Sequence, residues 1–191
     1  MLVPYSPITE KSLAPQTIAF GDVCHAAVSY SDNTAANVVF DAIGGPTGFT
    51  SYMRSIGDEK TRLDRKEPEL NEATPGDVHD TTTPNAIVNS LRKILLGDVL
   101  SVSSRAELTQ WMLTDQVAGA LLRASLPSDW KIADKTGAGG YGSRSIVAVI
   151  WPPSKQPLVV GIYVTQTKAS MQASNQAIAK IGTALKEAIV Q

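Results

Sequence analysis

Three short groups of residues carry side chains that could do hydrogen-bonding and acid–base chemistry. Ser31-Asp32-Asn33 combines a hydroxyl and an amide at a helix entrance. Lys135-Thr136-Gly137 puts an ammonium and a hydroxyl at the end of a strand. Glu67-Pro68-Glu69-Leu70-Asn71 sets a carboxylate and an amide in a long loop, where Glu67 could act as general base on a water that Asn71 also hydrogen-bonds. Each group has a plainer reading. Ser, Asp and Asn are the preferred helix N-caps, a strand-end lysine is commonly exposed, and an acidic loop is commonly just solvated. Arg65 and Asp80 carry opposite charges at the two ends of the loop, and a bidentate ion pair between them would close it.

The elements that must position these groups follow from periodicity and punctuation. A helix is expected just after Ser31-Asp32-Asn33, through Val38, Val39 and Phe40, ending at Gly44-Gly45. Thr83-Pro84 reads as an N-cap followed by proline at the first helical position, with Ile87, Val88, Leu91, Ile94 and Leu95 at helical spacing and Gly97 as the stop. Ser103 or Ser104 is expected to cap a further helix carrying Leu108, Trp111 and Met112. Asp58 to Asp80 lacks periodicity, and a loop of that length is often functional. Three β-rich runs follow, Lys131 to Ala138, Arg144 to Trp151 and Pro157 to Thr165, and their short turns imply a three-stranded antiparallel meander. A closing helix is expected over Met171 to Val190, with Ile178, Ile181, Leu185 and Ile189 on one face. Helices covering an antiparallel sheet make an α+β or three-layer αβα domain. The expected organisation is one domain over 1–191, mainly helical over 1–129, with the meander and last helix over 130–191.

Composition narrows the function classes. Seventeen basic against eighteen acidic side chains give no electrostatic reason to bind nucleic acid or an anionic membrane. The apolar runs are strand-sized, too short to span a bilayer. One cysteine, Cys24, cannot form an internal disulfide framework or a cysteine metal cage. His25 and His79 are lone histidines without metal-ligand spacing, and no cofactor is called for. With no signal peptide at Met1-Leu2-Val3-Pro4-Tyr5, the chain reads on its face as soluble and cytosolic.

Taken together, in this order and with their flanks, the three groups resemble the class A serine β-lactamases. The similarity runs from about Leu2 to the last helix and includes Tyr5-Ser6-Pro7-Ile8-Thr9-Glu10-Lys11, Asp80-Thr81-Thr82-Thr83-Pro84 and Ile132-Ala133-Asp134-Lys135-Thr136-Gly137-Ala138-Gly139. The later part looks most like the penicillin- and carbenicillin-hydrolysing members. The resemblance implies that Ser31 relays a proton to the leaving nitrogen and Asn33 hydrogen-bonds the substrate's acylamino group. Glu67 with Asn71 would activate the deacylating water. Lys135, Thr136 and Arg144 would hold the substrate carboxylate, with Gly137 beside them in the binding strand. The Ala138 N–H would be an oxyanion-hole donor, Tyr5 would line the pocket mouth, and Arg65 and Asp80 would pin the loop.

The resemblance also demands a Ser-x-x-Lys motif upstream of Ser31, and none is present there. Ser90-Leu91-Arg92-Lys93 and Ser128-Asp129-Trp130-Lys131 match literally but follow Glu67, so both read as decoys. The expectation is therefore a chain lacking the N-terminal nucleophile segment. The cysteine count and missing leader then say nothing about compartment, and a periplasmic or secreted parent is implied. The resemblance further implies that Cys24 pairs with a cysteine in that segment, against the plainer reading of a small buried side chain. Lys66 stands where many members carry an aromatic residue. Beside β-lactams, the expected partners are a complementary N-terminal fragment or a second copy. A penicillin-binding peptidase shares much of the motif logic but needs no Glu67 and Asn71. A non-catalytic complementation module is the remaining reading.

Overall fold

The computed structural model describes residues 2–12 and 17–190. Its helices are α1 (Phe20–Ser29), α2 (Asn33–Ala42), α3 (Gly45–Ser55), α4 (Pro84–Leu96), α5 (Val102–Leu113) and α6 (Met171–Val190). The strands β1 (Lys131–Ala138), β2 (Arg144–Trp151) and β3 (Leu158–Val164) form an antiparallel sheet in the order β1-β2-β3. The register pairs Lys131 with Trp151 and Ala138 with Arg144, then Arg144 with Val164.

Alternation along β2 builds two cores. Ile146, Ala148 and Ile150 point to one face, where Ile178 of α6, Leu121, Leu122 and Trp130 cover them. Val147 and Val149 point to the other, against Leu91 and Leu95 of α4 and Met112 of α5. The result is the expected three-layer arrangement, with helices on both faces of a sheet that is apolar on each. Among the described residues, no helix is long and apolar enough to cross a membrane.

Local signals placed most boundaries. The Thr83 hydroxyl accepts from Ala86 N–H, and Pro84 opens α4. Two of the expected element details need correction. Ser101 caps α5, accepting from Ser104 N–H, two to three residues before the cap expected at Ser103 or Ser104. The stop expected at Gly44-Gly45 holds: α2 ends at Ala42, Gly44 at φ 90° takes a left-handed turn that glycine adopts freely, and α3 follows directly. The loop contains a 3-10 turn at Glu69–Asn71. On α6 the buried stripe is Ser174, Ile178 and Gly182, whereas Ile181 is exposed. Gly182 is required because α6 presses on the 122–125 turn; a Cβ there would lie 2.3 Å from the Ser125 hydroxyl.

Candidate active site

The start of α2 is built around a buried carboxylate. Asp32 caps α2 through Ala35 N–H and also accepts from Ile8 N–H, Thr9 N–H and the Thr9 hydroxyl at 2.8–2.9 Å. Burial alone would raise its pKa, but these donors hold it below the ordinary carboxylate range. One residue earlier, Ser31 sits at φ 54°, a left-handed conformation that a serine seldom adopts. One residue later, the Asn33 N–H donates to the Tyr5 carbonyl at 3.0 Å, and its side chain donates to the Pro4 carbonyl at 2.9 Å. Exposed Tyr5 is thereby fixed beside Asn33.

Lys135, from the middle of β1, donates its ammonium to the Ser31 hydroxyl, across 104 residues of sequence. It also donates to the Thr136 carbonyl at 3.0 Å. Burial pulls the lysine below its ordinary range, with Asp115 and Glu67 the leading charges acting the other way. Arg144 is buried opposite Ala138, and its guanidinium donates to the Gly137 carbonyl at 3.0 Å and to Asn175 Oδ1 of α6 at 2.8 Å. Gly139 N–H bonds Ser143 at 3.0 Å, so the antiparallel alternation turns the Ala138 N–H away from β2. Among the described residues no strand lies on that side of β1.

The loop brings a second hydrogen-bonded pair. Asn71 donates to Glu67 Oε2 at 2.5 Å. Burial pushes the Glu67 carboxyl up, with the Asn71 bond and Lys135 opposing it only in part. The peptide before Pro68 is cis. Asn37 of α2 donates to the Glu67 carbonyl and accepts from its N–H, both at 2.9 Å. On the other side, Asn71 O accepts from Gly140 N–H at 2.8 Å. A Cβ on Gly139 would lie 2.5 Å from Asn71 O, so the loop rests on backbone that only glycine provides.

Arg65 and Asp80 do close the loop, but not as a bidentate pair. Arg65 Nε reaches Asp80 at 2.6 Å, while the other guanidinium nitrogens reach Glu72 at 2.5 Å and Asp77 at 3.3 Å. The second Asp80 oxygen instead accepts from the N–H groups of Asp64 and Arg65. A carboxylate at a loop neck serves unpaired backbone donors before it serves both prongs of a fork.

The literal Ser-x-x-Lys matches are placed elsewhere. Ser90 is buried and donates to Asp58 at 2.7 Å, while Lys93 donates to the Ile56 carbonyl. Ser128 lies exposed in the turn before β1, at the end opposite Ala138. Cys24 is a free thiol raised by burial. His25 packs on Tyr30 and Trp111, and His79 pairs with Asp77. Among the described residues no three His, Cys, Asp or Glu side chains could hold a metal.

A family model described as the beta-lactamase enzyme family matches residues 1–189. The chain belongs to that family. It is 85% identical over 189 residues to β-lactamase AER-1 of Aeromonas hydrophila, covering 99% of this chain and 62% of that relative. It is 52% identical over 186 residues to β-lactamase CARB-4 of Pseudomonas aeruginosa, covering 97% of this chain and 64% of that one. An ancestral class A β-lactamase structure superposes with TM-score 0.96 at 50% identity, over 98% of this chain and 72% of that one. A chromosome-encoded β-lactamase mutant of Vibrio parahaemolyticus matches with TM-score 0.93 at 50% identity, over 97% and 71%. The fold is that of the class A β-lactamases, and the chain spans just over three fifths of the length of these curated relatives.

Several residues that shape this candidate site carry no distinctive signal in the sequence. Asn37 and Asn175 hold Glu67 and Arg144, and either could have been suspected only as polar residues on otherwise ordinary helices. Asp134, fully buried, takes a forked contact from Arg123, which ties β1 to the end of α5 through the Met112 and Leu113 carbonyls. Asp115 lies in the turn after α5, where Gln116 N–H donates to the Ser29 carbonyl just before Ser31. Its signal was present: an aspartate followed two and three residues later by the N–H groups it caps.

Proposed function

We propose that this chain supplies most of the site of a β-lactam hydrolase of penicillin type working through a serine acyl-enzyme. The observation that carries the reading is the Lys135 ammonium on the Ser31 hydroxyl, because it joins the strand-end and helix-entrance groups in one place. A serine hydroxyl on a buried ammonium passes a proton to a departing lactam nitrogen and recovers one from the lysine side. Glu67, with its raised carboxyl and its Asn71 partner, takes the proton of the water that attacks the acyl-enzyme. Asn33 receives the acylamino side chain, and Tyr5 lines the mouth. Lys135, Thr136 and Arg144 hold the substrate carboxylate along β1, with Gly137 between them. The outward Ala138 N–H is one oxyanion donor, a contribution typically worth about 3 to 4 kcal/mol. The Glu67–Asn71 pair favours a hydrolase over a peptidase, which has no need of a water activated on that side.

The acylated serine is assigned to a Ser-x-x-Lys segment that this chain does not carry in the family order. The partner that the reading calls for is a complementary segment bearing it, within one domain whose 1–129 part is mainly helical and whose 130–191 part holds the sheet. The other partner the reading allows is a second copy of the chain. A periplasmic or secreted location is proposed for the intact protein.

Nitrocefin hydrolysis tests this directly. The chain alone is expected to show negligible turnover, and mixing it with the remaining N-terminal region of the Aeromonas hydrophila relative is expected to restore it. In the mixture Glu67→Gln should accumulate acyl-enzyme. Fast turnover by the chain alone, with an adduct on Ser90 or Ser128, would overturn the assignment. So would the absence of any gain on mixing two soluble pieces.

A further inference from the structure

Lys66 lies between the two loop residues already described, and its ammonium meets the Asp41 carboxylate of α2. One turn earlier on the same helix, Asn37 makes its two bonds to the Glu67 backbone. Residues i and i+4 share a helix face, so one face of α2 grips two successive loop residues, one through charge and one through backbone. The neighbouring Arg65 is drawn to Asp80, Glu72 and Asp77 at the loop neck. The side chains of Arg65, Lys66 and Glu67 are thus held by different partners, the neck carboxylates, Asp41 and Asn71, which fixes the rotation of the chain as it enters Glu67. Ser31, one residue before the Asp32 cap of the same helix, takes the Lys135 ammonium, so the approach to its other end is tied to β1.

We infer that the Lys66–Asp41 ion pair is a positioning clasp, which sets where Glu67 stands relative to Ser31 and Lys135. Lys66 and Asp41 touch no reacting group and act through Glu67, so the inference rests on Glu67 being the water-activating base. Both side chains are partly exposed, at 39% and 66%, so the pair adds little to global stability and is screened by salt. Its effect is local, in how tightly the segment from Arg65 to Asn71 is held against α2.

The test uses the full chain with Lys66→Met, Asp41→Asn and the charge-swapped Asp41→Lys/Lys66→Asp pair. Amide hydrogen exchange over 65–72 is read together with the Glu67 carboxyl titration by NMR. Lys135, Glu69 and Asp80 also act on that carboxyl and are left in place. At low salt each single variant is expected to exchange about two- to fivefold faster over this segment. Its Glu67 midpoint should fall toward the ordinary range as the carboxyl gains water. The swapped pair should restore both, 1 M salt should erase the difference from the parent, and exchange in β1 to β3 should stay unchanged. Single variants indistinguishable from the parent at low salt would overturn the clasp, as would a swap no better than the singles. These readouts need no turnover, so a failure of the hydrolase reading would show separately, in the nitrocefin assay.

Discussion

The loop from Asp58 to Asp80 and the meander from Lys131 to Val164 deliver residues to the same site but are held by different forces. The buried residues of the loop are Asp58 and Thr61, both polar. Its shape comes from Arg65 on three carboxylates, from Asn37 on Glu67 and from Asn71 against the glycine turn. The meander instead buries Ile132, Ile146, Ala148, Val149 and Ile150 between helices on both faces. Lys135 and Arg144 are thus set by apolar burial, which is nondirectional and little affected by salt. Glu67 is set by hydrogen bonds and charges, which are directional and respond to pH and ionic strength.

The largest test removes apolar volume from the sheet. Ile146→Ala is expected to destabilise the fold by about 2–5 kcal/mol in urea unfolding, and to loosen sheet and loop together, since the loop rests on the sheet. A loop that kept its full exchange protection in this variant would show it to be the more independent unit. A smaller, confined effect is expected from Asp80→Asn, whose amide oxygen can keep both backbone contacts at the neck while its NH2 replaces the oxygen that meets Arg65. Amide exchange over residues 62–80 should rise about tenfold, the cost of one charge-assisted hydrogen bond, while β1 to β3 change far less. Equal acceleration in both regions would erase the distinction.

The smallest effect comes from mild acid. Burial works to raise Asp58, but the Thr61 hydroxyl and N–H, the Ser90 hydroxyl and the Lys60 N–H pull it down to about 2. Asp64 is also held at about 2, chiefly by its hydrogen bond from Arg62. An unfolded aspartate titrates near 3.9, so both groups stabilise the folded state fully above about pH 4. That contribution is lost as pH falls toward about 2. At pH 3 the loop's protection factors, each taken against the intrinsic exchange rate at that pH, should therefore be lower than at pH 5, with the sheet ahead of it in protection, and Asp58→Asn should flatten this dependence.

Much of the fold was legible because its punctuation is local. Thr83-Pro84 needs only the next turn to act as a cap, and the turns at 139–143 and 152–155 need only their own glycines and prolines to set three strands apart. The errors came where a local signal had competitors. Three serines lie near the start of α5, and the one that caps is decided by where the chain arrives from Gly97, whose carbonyl Arg105 holds. On α6, Ile181 fits the apolar spacing, but the side packed against residues 122–125 had to be the glycine side. Arg65 and Asp80 were read as a pair because only two charges were considered, and the loop then brought Glu72 and Asp77 into reach.

By itself the sequence determined the residue types of the site, the family they match and the elements that carry them. Each of these depends on chemistry within a few residues or on motif order. Only the tertiary structure decided that Lys135 rests on Ser31, that Asn37 and Asp41 grip the loop, and that Asn175 steadies Arg144. Those contacts join residues 25 to 104 positions apart. Their geometry follows from how the apolar faces of the helices seat on the sheet, which no local propensity contains.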